Sequence, residues 1–282
     1  MSSARFEALT LASPVIAAAG CAPAVGLLGD THLGAVVTPS YLFRRRSGAR
    51  SAVQETAGGV LFQPSAATPE IGNALRRQAH AWATATTKVV VSLLIDERGG
   101  FIEAAAQLEG VRGPAALELN LAWGAADGLV AEDPPLVRQT LRRVGQVCRL
   151  PVLVKLPYDL ADPEAALEAC AAGGAAGAVV GAGVPTGDGM LLGPATFPLV
   201  LELVRRLARD APLPVIACGG VATAAQARAY LDAGAAAVQV GSAHLANPRA
   251  AADIARALVD EGVATGAPDG PRARGSPNRS SA

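Results

Sequence analysis

The sequence predicts a (β/α)8 barrel, and two observations carry that reading. Eight short apolar runs recur through the 282 residues, and helical patterns lie between them. None of the runs alternates cleanly between apolar and polar residues, which marks strands buried on both faces, as in parallel sheets. Eight such strands alternating with helices close into a barrel of the TIM type, with a doubly wound open sheet as the structural alternative.

The elements follow in order. Strand 1 is PVIAAAG (residues 14–20) and strand 2 is GAVVTPS (34–40). SAVQETAGGVLFQ (51–63) then breaks the alternation: two short strand-like pieces flank Gly58-Gly59, which predicts a β-hairpin inserted after strand 2, over the barrel mouth. Strand 3 is KVVVSLL (88–94) and strand 4 is ALELNLAW (116–123). Asp133-Pro134 opens a helix running to about Val147, with Asp as N-cap and Pro at the first helical position. PVLVKLP (151–157) is strand 5, and Asp162-Pro163 opens the next helix by the same signal. GAVVGAG (177–183) is strand 6 and PVIACGG (214–220) strand 7, after which Thr223 caps a helix over 224–232. AVQVGSA (237–243) is strand 8, and Asn247-Pro248 opens the last helix. Residues 265–282 are rich in Gly, Pro, Ser and Arg without an apolar period, so a disordered tail is expected behind a single domain of residues 1–264.

Composition narrows the function. Apolar residues make up 51% of the chain, enough for a sizeable core, and the formal net charge is zero, which argues against a nucleic-acid binder. No apolar run reaches the length of a membrane span, and the start MSSARFEALT lacks a secretion signal. The four cysteines, Cys21, Cys148, Cys170 and Cys218, show no CxxC spacing and lie in or beside apolar segments. A reduced cytoplasmic chain without a metal site follows as the expectation. The 24 basic residues include only two lysines, Lys88 and Lys155. Compositional bias explains the skew; a lysine that survives it still draws attention, because Arg replaces Lys poorly where a compact ammonium is needed.

In a barrel the site lies at the C-terminal ends of the strands. Strand 7 ends Cys218-Gly219-Gly220 before a helix, and strand 8 ends Gly241-Ser242. Glycines at two adjacent strand ends expose backbone N–H groups, and the helix N-terminus adds positive partial charge, so together they form an anion cradle at the usual phosphate site of this architecture. The alternative is that these glycines serve tight turns alone.

Read together, PVIACGGVATAAQARAYLDAGAAAVQVGSAHLANP closely resembles the FMN-dependent dihydroorotate dehydrogenases, whose pattern there is a strand, a Gly-Gly pair, a helix, then a second strand ending in V-G-Thr/Ser. SPVIAAAGC resembles the family's first strand, ETAGGVL its hairpin, ELN (118–120) its fourth strand, VKL (154–156) its fifth and GPA (193–195) its glycine turn after strand 6. The resemblance runs from about residue 8 to 262. It implies FMN as cofactor, with Ala18 and Ala19 giving backbone contacts to the ring, Asn120 beside the ring and Lys155 near the edge that gathers charge on reduction. Gly193, Gly219, Gly220, Gly241 and Ser242 would then bind the phosphate.

The substrate side departs from the family. Its catalytic Cys or Ser, three residues after the Asn, is Trp123 here, and Trp cannot accept a proton. The family's Lys at the end of strand 2 is Thr38, its Asn before helix 2 aligns with Thr68, and its Asn after strand 6 aligns with Ala182. Tyr158 and Asp159 directly follow strand 5, and either reads as an acid or base or, equally, as a plain loop residue; Cys21, Tyr41 and Asp188 also lie near the expected mouth. Of the histidines, His32 and His80 read as surface or packing residues, and His244 as packing or phosphate contact. Arg44, Arg45, Arg46 and Arg50 follow strand 2 and read either as a solvated or subunit-contact loop or as recognition of an anionic small-molecule substrate, with Arg45 the representative candidate. The expectation is an FMN oxidoreductase of dihydroorotate dehydrogenase type acting on a different small molecule in specialised biosynthesis, as a homodimer or with a redox partner. The alternatives are a pyrimidine enzyme with rearranged chemistry, a non-redox or non-catalytic phosphate-binding barrel, and a partner subunit of another enzyme. The chain carries no cysteine cluster for an iron–sulfur centre and no second domain for a nicotinamide nucleotide.

Overall fold

A computed structural model of the chain describes residues 9–20, 27–64, 67–94, 100–122, 131–187 and 189–261. The strands are β1 (Val15–Ala17), β2 (Ala35–Val37), β3 (Ala52–Thr56), β4 (Gly59–Gln63), β5 (Lys88–Leu94), β6 (Pro114–Asn120), β7 (Val152–Lys155), β8 (Gly177–Val180), β9 (Val184–Thr186), β10 (Gly189–Leu192), β11 (Val215–Cys218) and β12 (Ala237–Val240). Eight of them close into a barrel in the order β1-β12-β11-β8-β7-β6-β5-β2, every pairing parallel. They are the eight apolar runs of the sequence, so the (β/α)8 barrel is the fold.

Each barrel strand from β2 onward is followed by a helix: α1 (Ile71–Thr84), α2 (Phe101–Ala106), α3 (Pro134–Val147), α4 (Pro163–Gly173), α5 (Phe197–Ala208), α6 (Ala224–Asp232) and α7 (Ala250–Asp260). Three of them start where the cap residues said they would. The Asp133 carboxylate accepts from the Leu136 N–H at 3.0 Å and Asp162 from Ala165 at 2.9 Å, satisfying amides that a helix start leaves unpaired. Thr223 and Gln226 form a reciprocal capping box. The last helix differs: α7 begins at Ala250, because Asn247 turns its carbonyl oxygen to the Arg249 N–H and its amide to Asp253 instead of capping a helix at Pro248. No described helix is long and apolar enough to cross a membrane.

The core is layered. Inside the barrel, Ile16, Val37, Val90, Ala116, Leu153, Ile216 and Ala237 pack as one buried cluster; outside it, the alternate residues Val15, Val36, Val89, Leu117, Val154 and Val238 pack against the helices. Both strand faces are apolar for this reason, and the sequence shows runs instead of alternation.

The expected hairpin, β3 and β4, is present but is half of a larger unit. β9 and β10 form a second hairpin after β8, and the two join in a four-stranded antiparallel sheet, β3-β4-β10-β9. The tip of the first hairpin sits on the turn after β10: the Ala195 N–H donates to the Gly58 carbonyl at 3.0 Å. Gly59 (φ +149°) and Gly193 (φ +123°) touch backbone to backbone there, so close that a Cβ on either would overlap the other strand.

Candidate cofactor site

Two residues above the apolar interior cluster, the same inward-facing register turns polar. Val90 gives way to Ser92, Ala116 to Glu118, Leu153 to Lys155 and Ala237 to Gln239, while Cys218, above Ile216, stays packed with the apolar cluster. The polar groups satisfy one another. Lys155 donates to the Gln239 side-chain oxygen at 2.8 Å and lies 3.7 Å from the Glu118 carboxylate. Gln239 donates to the other Glu118 oxygen at 2.7 Å, and the Ser92 hydroxyl donates to Glu118 at 3.2 Å. β6 and β12 lie opposite each other in the strand order, so the Glu118–Gln239 bond spans the bore. Burial pushes the Cys218 thiol up, against the neighbouring Lys155 charge, so it stands neutral beside this layer.

The network climbs to the rim. Ser92 and Ser40 share a hydrogen bond at 2.9 Å, and Asn120 donates its amide to Ser40 at 3.2 Å while its oxygen takes the Ala122 N–H at 3.1 Å. Thr38 accepts from the Ser92 N–H and donates to the Pro39 carbonyl, so its hydroxyl is engaged within the protein.

Above the polar layer lies a cleft. Eight of the nine residues expected to hold a cofactor line it: Ala18, Ala19, Lys155, Gly193, Gly219, Gly220, Gly241 and Ser242. The ninth, Asn120, is bonded to the rim as described. Gln239 and Cys218 form part of the same wall. Three glycine turns converge: Gly193 ahead of α5, Gly219-Gly220 ahead of α6 and Gly241 ahead of the short 3₁₀ turn Ser242–Leu245. Gly220 has φ +64° and packs its Cα against the Phe197 backbone, so no side chain fits there. Among the described residues, the Gly220 and Gly241 amides donate to no other backbone group in the turns. The donor set suits a phosphate at one end and a ring against one ammonium at the other, which are the two ends of FMN.

The other expected site residues are scattered. Thr68 is buried and accepts from Arg46 at 3.4 Å, and the two backbones pair. Arg45 is exposed, as is Asp159; Tyr158 is half-buried against the helix layer. Tyr41 points away from the mouth, donating to Gln78 on α1 at 3.4 Å. His80 is exposed, and His32 lies 3.3 Å from Asp30. His244 is buried, its Nδ1 against the Gly241 carbonyl at 3.0 Å. Trp123, Cys21, Asp188 and the tail fall outside the described residues. Ser92, Glu118 and Gln239 were not singled out from sequence. The signal was there: a polar residue at the centre of an otherwise apolar strand must find a partner.

Comparison with known proteins points one way. The family profile Dihydroorotate dehydrogenase matches residues 179–261, the segment that holds all three glycine turns after strands 6 to 8. A Desulforudis audaxviator protein, "Dihydroorotate dehydrogenase B (NAD(+)), catalytic subunit", is 32% identical over 90% of this chain and 92% of its own length. A Geobacter sulfurreducens protein of the same description is 28% identical over 93% and 94%. Among solved structures, DHODH from Eimeria tenella in complex with ferulenol superposes with a TM-score of 0.72 at 15% identity, covering 88% of this chain and 81% of that one.

Proposed function

Since this chain belongs to the dihydroorotate dehydrogenase family, we propose that it is an FMN-dependent oxidoreductase acting on a small molecule other than dihydroorotate. The observation that carries the cofactor is the cleft itself, where three glycine turns face Lys155 across a wall of backbone and small side chains. When bound there, FMN supplies a ring that takes or gives a hydride. Lys155 holds a positive charge at the cleft floor, fixed by Gln239 and Glu118, and would stabilise negative charge on a ring held against it. The glycine turns and the helix starts behind them would hold the phosphate through backbone N–H groups.

The substrate reading rests on the rim. Thr38 and Thr68 stand where the family has Lys and Asn, and both hydroxyls are already bonded within the protein. Trp123 occupies the position of the family's base and cannot take a proton. Tyr158 or Asp159, directly after strand 5, is the proposed proton donor, and Arg45 on the exposed strand-2 loop a contact for an anionic substrate. The electrons pass to a partner protein. The groove beside the phosphate turns, lined by Val53, Leu245 and Ile254 and about 860 Å3 in volume, gives such a partner an apolar face.

The experiment is direct. The purified protein is expected to show a flavin absorbance band, released on denaturation as FMN and not FAD, and Gly241→Glu, which sets a carboxylate in the cradle, is expected to lose it. With flavin bound, dihydroorotate is expected to leave the band unbleached. A colourless protein, or Gly241→Glu with full flavin occupancy, overturns the cofactor reading; turnover of dihydroorotate at a rate ordinary for the family overturns the substrate reading.

A further inference from the structure

We propose that Tyr230 is a positioning residue for cofactor phosphate, setting the peptide between Gly219 and Gly220 so that the Gly220 N–H faces the anion. The inference rests on the phosphate-cradle reading above and adds a residue that does not itself line the cleft.

Tyr230 lies on α6, wholly buried, and reaches the supports of two of the three glycine turns that line the cleft. Its hydroxyl donates to the Gly219 carbonyl at 2.7 Å, with the Phe197 carbonyl a more distant second acceptor at 3.4 Å. Its ring meets Phe197 edge-on at 5.2 Å, and Phe197 is the first residue of α5, directly behind the Gly193 turn. One side chain therefore touches the supports of both turns.

The orientation follows from peptide geometry. In a trans peptide the C=O of one residue and the N–H of the next point in opposite directions. Tying the Gly219 carbonyl down toward α6 sends the Gly220 N–H the other way, toward the cleft that Gly219 and Gly220 line. With φ +64°, Gly220 belongs to the residues whose peptide can flip at little steric cost, so the turn needs an external tie to stay in one orientation. Burial pushes the phenol well above its usual range, which keeps the hydroxyl a donor at any physiological pH.

The test compares two ligands that differ only in the phosphate. Dissociation constants of FMN and riboflavin are measured by fluorescence titration of apoprotein, for the parent chain, for Tyr230→Phe and for Leu207→Ala. Leu207→Ala opens a cavity in the buried face of α5 and controls for loss of packing alone. Tyr230→Phe removes one oxygen; its fold is checked by circular dichroism. Expected is a loss of about fivefold in the preference for FMN over riboflavin, with riboflavin affinity unchanged, the size of one hydrogen bond's net contribution. The Leu207→Ala protein is expected to melt earlier and keep the parent's preference. An unchanged preference in Tyr230→Phe, or an equal loss for both ligands, overturns the proposal while leaving the cradle intact. A parent chain that binds the two ligands alike removes the phosphate site, and the proposal with it.

Discussion

At the scale of single residues, the most consequential pair is Lys155 and Glu118. Their side chains are 4% and 0% exposed, a setting in which two charges lose hydration and offset that loss through each other and through Gln239 and Ser92. Removing one charge strands the other. Glu118→Gln and Lys155→Met are each expected to destabilise the apoprotein by about 3 kcal/mol, and the double variant by clearly less than their sum. Urea unfolding of the four proteins measures this, and additive losses would show that the pair is not coupled. Lys155 was legible in the sequence because it is one of only two lysines and ends an apolar strand. Glu118 was visible only as one letter of a family motif, since nothing along the chain says that strand 4 faces strand 8 across the bore. Thr38 and Thr68 could be aligned from sequence, but that their hydroxyls are spent on Ser92 and Arg46 is a matter of three dimensions.

At the scale of elements, strands and caps were readable and pairings were not. Asp133, Asp162 and Thr223 act through amides three residues away, and an interaction that local leaves its mark in sequence. The hairpin around Gly58-Gly59 was equally local. Its union with β9 and β10 joins segments more than a hundred residues apart, and the short run VPT-GDG-MLL carries too little apolar pattern to announce it. That union places the hairpin tip on the Gly193 turn. Gly59→Ala puts a methyl onto the Leu192 carbonyl at a φ of +149°, where L residues rarely go. Such a variant is expected to bind flavin several-fold more weakly while the barrel keeps its melting temperature to within a few degrees, because the four-stranded sheet lies outside the closed barrel. Unchanged flavin affinity, by equilibrium dialysis, would show that the hairpin does not support the turn.

At the scale of the whole molecule, the fold was legible because a closed parallel barrel writes the same signature eight times. Its stability carries a pH dependence through His244, buried beneath the last turn. Burial lowers its proton affinity from the usual value of 6.5, and its Nε2 has no partner among the described residues. The unfolded chain therefore binds a proton that the folded chain resists. That part of the stability is present above pH 6.5 and is lost as the pH falls below it toward the folded value. The melting temperature is expected to drop between about pH 7 and 5.5, and to drop less in His244→Gln. Parallel curves for the two proteins would exclude the histidine as the cause. The bond from Glu118 to Gln239 has a further meaning for how the chain comes into being. A ribosome delivers residue 239 long after residues 118 and 155, so a nascent half-barrel holds an acid and a base whose joining amide has not yet been made. Neither fragment of a chain cut between strands 5 and 8 inherits the whole layer that Glu118, Lys155 and Gln239 make together.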